Sequence, residues 1–388
     1  MSERTTSFII FFSIVILVYG STCSYVFIRG WRLLPKGSIL RTVYLWLFPL
    51  LALSFFIGRI LRAYLPCTYC DVFIWIGAVW LGLYFYVFLF ALVLDLAGLG
   101  GRLLHITPAW AAGIGFKRAM GVAAVAAAGL LVVIGHIHSN RIQVTRLELI
   151  IPKQAGQLRQ LDIAVASDIH LGTVIDAHRL DQFVTAINKL NPDLILLPGD
   201  IVDGDIEPVM EMDMGEPLTR LKSTYGVFGV TGNHEYIGGA EETVPYLERK
   251  GVVFLRDQVV KVADSFFLAG REDPSIKHFA GGARKPLADM LSGVEGDQPV
   301  LLMDHQPFKL EEAAAAGVDL QVSGHTHHGQ LFPNNLITGA IYEKDWGYLK
   351  KGGTHYYVSC GAGTWGPPMK TVGKSEIVFI RLRFETAV

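Results

Sequence analysis

Five short polar clusters carry the residue types that hold divalent cations: Asp168-Ile169-His170, Gly199-Asp200 with Asp203, Gly232-Asn233-His234-Glu235, Asp304-His305, and Gly324-His325-Thr326-His327-His328. Each adjoins a short apolar run. The clearest case is 193–203, DLILLPGDIVD. Its apolar centre suits a strand buried on both faces and is too short for a helix. Pro198-Gly199 then turns the chain and presents Asp200 past the strand's carboxyl end, where open α/β sheets hold their ligands. One Asp after a strand is ordinarily a helix cap. Five clusters with the same placement need another explanation.

Carboxylate, amide and imidazole donors without thiolates suit Mn²⁺, Fe or Zn²⁺ in a mixed site, and argue against a structural cysteine–zinc site. Asp168 and His170 are separated by one residue. In a strand-like stretch such side chains point the same way and can reach one ion. His325 and His327 share that spacing and can supply one ligand to each of two ions. Asp200 has two oxygens, enough to bridge a pair of metals roughly 3.5–4 Å apart, the separation used for displacement at phosphorus. Asn233 adds a neutral carbonyl oxygen and restrains the negative charge of the site.

The elements that must position these groups follow from hydrophobic patterning. Beyond Asn140, short apolar runs alternate with amphipathic stretches, the pattern of an α/β domain over 141–388. Strands are expected at 144–151, 161–166, 194–197, 226–231, 252–255, 259–269, 300–303, 319–322, 356–359 and 376–382. Helices are expected at 176–190, 239–250 and around 310–316.

The first 140 residues differ. The whole chain is 51% hydrophobic, and its mean hydropathy is +0.38, high for a soluble protein. Apolar runs at 8–28, 39–61, 72–94 and 119–137 have bilayer-spanning length, so about four transmembrane helices are expected. Up to Asn140 the chain has ten basic and three acidic residues; afterwards it has 24 and 32. An acidic domain without a basic run excludes a nucleic-acid surface. The first and third loops carry seven of the nine loop cations, which puts them in the cytoplasm and the acidic domain outside. Cys67 and Cys70, separated by two residues in the outer loop, suit a disulfide better than a metal site.

The motif order Asp168-x-His170, Gly199-Asp200-x-x-Asp203, Gly232-Asn233-His234-Glu235, His305 and Gly324-His325-x-His327 resembles the calcineurin-like metallophosphoesterases over about residues 144–388. Gly329-Gln330 and the segment from Cys360 to Trp365 look more like that family's membrane-associated bacterial branch. The resemblance implies a four-layer αββα sandwich with two divalent metal ions. Asp168, His170, Asp200 and His327 would hold the first; Asp200, Asn233, His305 and His325 would hold the second. His234 would contact the phosphate and assist catalysis beside Asn233, and a metal-bridging hydroxide would attack. Asp203, Glu235, Asp304 and His328 would orient these groups or contact substrate. His328 and Met369-Lys370 depart from the usual pattern, which bears on substrate contacts more than on metal. The implied protein is an integral enzyme of the bacterial inner membrane acting on a lipid-linked or envelope-derived phosphoester. Two alternatives are a pyrophosphate hydrolase cleaving UDP-2,3-diacylglucosamine in lipid A assembly, which needs a cytoplasmic catalytic face, and a non-catalytic membrane sensor, although no ligand is lost here.

Overall fold

The computed structural model describes residues 3–62, 64, 68–294 and 297–384, without the side chains of 3–12, 14, 15 and 68. The chain divides into two compact units, Met1–Ile137 with Gly366–Met369, and His138–Trp365 with Lys370–Val388.

The first unit is built on α1 (Glu3–Leu33), α2 (Ile39–Arg62), α3 (Thr68–Leu103) and α4 (Ile114–Ser139). Among the described residues, three helices, Ile39–Arg62, Tyr69–Leu103 and Ile114–Ser139, are long and apolar enough to cross a bilayer. The expected first span, 8–28, falls within α1 and partly on side chains outside the described set. The third runs past its expected end at 94. Asp95 accepts a hydrogen bond from the Tyr25 hydroxyl at 2.6 Å and pairs with Arg29 at 2.6 Å, so this acid is neutralised inside the helix group. Cys67 lies outside the described residues, while Cys70 is buried and disulfide-bonded.

The second unit contains twelve strands among its described residues: β1 (Ile142–Ile151), β2 (Gln160–Val165), β3 (Leu194–Pro198), β4 (Val227–Val230), β5 (Val253–Phe254), β6 (Gln258–Val262), β7 (Phe266–Gly270), β8 (Val300–Met303), β9 (Leu320–Ser323), β10 (Gly347–Lys351), β11 (Thr354–Val358) and β12 (Ser375–Phe384). They form two six-stranded sheets in the orders β1-β12-β2-β3-β4-β5 and β10-β11-β9-β8-β7-β6. The intervening helices are α5 (Ala177–Asn188), α6 (Ile206–Glu211), α7 (Asn233–Gly238), α8 (Ala240–Arg249), α9 (Ile276–Phe279), α10 (Leu287–Met290), α11 (Leu310–Ala315) and α12 (Asn334–Ile341).

Alternation along the strands explains the layering. Ile163, Leu194, Leu196 and Ile380 of the first sheet meet Leu268, Leu301, Met303 and Val322 of the second in one buried cluster. The opposite sides, Ile195 and Leu197, are covered by Leu180, Phe183 and Ile187 of α5. Leu302 and Ala269 are covered by Leu310 and Ala313 of α11. The domain is thus an αββα sandwich. β3 is fully buried at the centre of its sheet, flanked by parallel β2 and β4. Two expectations change. The expected strand 259–269 is a hairpin, because Ala263 and Asp264 take φ of 51° and 50° and reverse the chain. β10 escaped notice because only its alternate residues are half-buried.

Candidate metal centre

All five clusters follow the carboxyl ends of strands. Asp168 and His170 come after β2, Asp200 after β3, Asn233 after β4, His305 after β8 and His325 after β9. The loops after β2 and β3 run side by side. Asp168 N–H donates to the Gly199 carbonyl at 3.1 Å, and His170 N–H donates to the Asp200 carbonyl at 3.0 Å. These stretches are not strand. Asp168, His170 and Asp200 have φ of 53°, 54° and 52°, and His325 and His327 have 72° and 47°. Strand alternation is therefore not what brings Asp168 to His170, or separates His325 from His327. A left-handed residue costs roughly 1–2 kcal/mol, and such residues persist where the surrounding fold over-determines them. Two glycines permit the close approach. A Cβ on Gly199 would lie 2.6 Å from His305 Nδ1, and one on Gly324 would lie 2.1 Å from Asp168 Oδ2.

Three donor groups result. In the first, His170 Nε2 and His327 Nε2 face each other at 2.9 Å, and His327 Nε2 lies 3.6 Å from Asp168 Oδ1. In the second, His305 Nε2 lies 3.1 Å from Asp200 Oδ2, with His325 completing the cluster. Asn233 Oδ1 is 2.8 Å from His325 Nδ1 and 3.3 Å from His305 Nε2. Asp200 Oδ2 is also 3.9 Å from His170 Nε2, so one carboxylate adjoins both groups. The third gathers His234 Nδ1 and His170 Nδ1 at 3.3 and 3.4 Å from Asp203 Oδ1.

These residues fit divalent cations. Among the described residues, Asp168 Oδ2 is buried without a hydrogen-bond partner, which is costly unless a cation faces it. His305 Nδ1 donates to the Pro198 carbonyl at 2.8 Å, leaving Nε2 to face the cluster, the arrangement that orients ligating imidazoles. Burial pulls the pKa of His325 down to about 4, with His305 adding to the shift. Burial and His170 hold His327 well below the usual range. Both rings are thus neutral, as ligands must be. Burial opposes ionisation of Asp200, but His305 and His234 hold its carboxyl well below the ordinary range. His305 is raised despite burial, by Asp200 first. His234 is pulled down by burial, yet Asp200, Asp203 and Glu235 outweigh that and lift it to about 9.

The remaining expected residues have separate tasks. The Glu235 carboxylate turns inward and accepts the backbone N–H groups of Asp200, Ile201, Val202 and Gly232 at 2.9, 2.7, 3.0 and 2.7 Å. Glu235→Ala is expected to cost about 4 kcal/mol or more in urea unfolding, since each unsatisfied buried group costs about 1–3 kcal/mol. Glu235→Gln, which keeps one acceptor oxygen, is expected to lose less. Asp304 accepts from Arg271 and Arg284, each at 3.0 Å, and so anchors the segment that carries His305. His328 pairs with Asp345 at 2.8 Å and joins none of the donor groups.

Asp273 was not anticipated, whereas Lys370 was expected to bear on substrate contacts and Trp365 to stand near the site. Asp273 is fully buried and accepts Gln306 Nε2 on both oxygens, at 3.0 and 2.9 Å, next to His305. The run Arg271-Glu272-Asp273 directly after β7 repeats the apolar-run-then-polar pattern and could have been found by it. Lys370 is fully buried and donates to the carbonyls of Cys360, Gly361 and Lys374 at 2.7, 2.6 and 2.8 Å. It therefore braces the chain behind His327 instead of touching substrate. Trp365 is 57% exposed with its ring 6.0 Å from His234, and forms an apolar wall beside it.

An αββα sandwich with two adjoining sets of carboxylate and imidazole donors at its strand ends defines a metal-dependent phosphoesterase fold. The model of the family described as calcineurin-like phosphoesterase matches residues 161–329. The chain is 31% identical over 227 residues to an uncharacterized metallophosphoesterase of Aquifex aeolicus, covering 58% of this chain and 85% of that one. It is 33% identical over 233 residues to one of Helicobacter pylori, covering 58% and 60%. It is 31% identical over 252 residues to a transmembrane protein with metallophosphoesterase domain of Danio rerio, covering 62% and 57%. The chain thus spans about 60% of the Helicobacter relative's length. It belongs to the calcineurin-like metallophosphoesterase family.

Proposed function

We propose that this protein is a membrane-anchored phosphoesterase that hydrolyses a lipid-linked or envelope-derived phosphoester at a pair of divalent cations. The carrying observation is that Asp200, a member of the His305–His325 group, also adjoins the Asp168–His170–His327 group, while His234 stands beside these two on Asp203. Asp168, His170, Asp200 and His327 would hold one ion. Asp200, Asn233, His305 and His325 would hold the other. When bound, such ions make water nucleophilic at neutral pH and neutralise charge on phosphoryl oxygens. Water's oxygen bonds to phosphorus and the ester P–O bond breaks. His234 Nε2 gives a proton to the departing oxygen, with Nδ1 oriented by Asp203. Asp304 and Glu235 keep the loops in register and do not meet substrate.

The relative named as a transmembrane protein and the three apolar helices support a membrane setting. The loop charges favour an outward catalytic domain, which in a bacterial inner membrane disfavours the cytoplasmic reaction of lipid A assembly. Purified protein loaded with Mn²⁺ is expected to hydrolyse bis-p-nitrophenyl phosphate and to lose that activity on chelation. Absence of turnover in metal-loaded protein would favour a non-catalytic sensor. Protease added to spheroplasts is expected to cleave the domain; protection would restore the cytoplasmic alternative.

A further inference from the structure

Between Leu331 and Tyr342 the sequence LFPNNLITGAIY has no charged residue. It forms α12, none of whose residues is buried. Phe332, Leu336, Ile337 and Ile341 are 53, 64, 57 and 59% exposed. Large contiguous apolar surface on a folded domain marks a contact site. The helix is tied to the donor loops through Asp345. Asp345 accepts the Thr338 hydroxyl at 2.7 Å and pairs with His328 at 2.8 Å, one residue from His327. The patch also continues to the metal centre. Tyr342 lies 6.1 Å from the His325 ring and 4.7 Å from exposed Phe308.

Two facts select a lipid bilayer as the occupant. The same chain has three helices able to cross one. Only Asn140 and Arg141 lie between α4 and β1, a spacer of at most about 7 Å, so the chain ties the domain closely to a helix of membrane-spanning length. Exposed Lys309 follows Phe308 and half-buried Lys344 stands two residues past Tyr342, cations close in the chain to this patch and suited to headgroup phosphates.

We propose that the α12 face, with Phe332 and Phe308, dips into the acyl region of the membrane and lets the metal centre act on a phosphoester whose acyl chains stay embedded. The substrate class rests on the phosphoesterase reading; the docking does not. Full-length protein carrying Ile337→Cys, labelled with a polarity-sensitive dye and placed one copy per nanodisc of phosphatidylglycerol and phosphatidylethanolamine, tests the docking. Brominated acyl chains are expected to quench the dye, and aqueous iodide is expected not to. Iodide access, or dye burial that appears only when two copies share a disc, would overturn it; the second outcome would assign the face to self-association. Leu336→Asp with Ile337→Asp tests the consequence. Bis-p-nitrophenyl phosphate turnover is expected to stay within about twofold, while hydrolysis of a long-chain acyl phosphoester in the same discs falls by about 30-fold or more, because charge enters the acyl region at high cost. Equal losses on both substrates, or none on the lipid, would overturn the delivery role. A wild-type protein inert on the soluble diester would sink the phosphoesterase reading and leave the dye result to decide docking alone.

Discussion

Asp200→Ala protein, purified with excess Mn²⁺ and analysed by mass spectrometry of bound metal, is expected to have lost ions from both donor groups together. The reason is geometric. Asp200 Oδ2 lies 3.1 Å from His305 Nε2 in one group and 3.9 Å from His170 Nε2 in the other. Asp168 also touches the second group, but through the His325 backbone N–H at 2.8 Å and not through a ring nitrogen. Metal activation is worth several kcal/mol, and each 1.36 kcal/mol is tenfold, so the rate should fall by about 10³–10⁴-fold. The substitution also removes a structural contact, because Asp200 Oδ1 accepts the His234 N–H at 2.8 Å. Asp200→Asn separates the two effects. It keeps an acceptor for that N–H while removing the charge, so it should fold normally and still bind metal poorly. His327→Ala, by contrast, should weaken one group only. Unchanged metal stoichiometry in the Asp200 variants would contradict a shared carboxylate.

His234→Ala should show the opposite separation: full metal content, with a rate loss of about 10²–10⁴-fold, the range of an acid–base group. The ring touches the donor groups without belonging to either metal set. Its Nδ1 faces Asp203 at 3.3 Å, and its ring meets His170 edge-on at 4.6 Å. Surrounding carboxylates outweigh burial and lift its pKa to about 9 in the cation-free site, and Asp203 beside Nδ1 favours the protonated ring that a departing alkoxide needs. The loss should therefore be large for an alkyl ester and small for a p-nitrophenyl ester, whose leaving group departs without help. Asp203→Asn should lie between, at about 10- to 100-fold, as expected for a partner that only orients. Equal losses on both esters, or depleted metal, would remove His234 from the proton-transfer role.

Glu235 and α12 show where reading along the chain runs out. Glu235 follows the motif residues directly and looks like one more polar group of the site. In the fold it points the other way and ties four backbone N–H groups. Segment 331–342 has the composition of an ordinary core helix, yet it stands exposed beside His325 and His327.

The donor chemistry, the order of the clusters, the central strand at Leu194–Pro198 and the apolar helices were all legible in the residues, because each depends on local composition or on a period of two or 3.6. Tertiary structure decided which donors share an ion, since Asp168, Asp200, Asn233, His305 and His325 meet only when two sheets close face to face. It also decided how they meet. Left-handed backbone at Asp168, His170, Asp200, His325 and His327 follows no strand or helix period, and only the packed loops around it make that conformation stable.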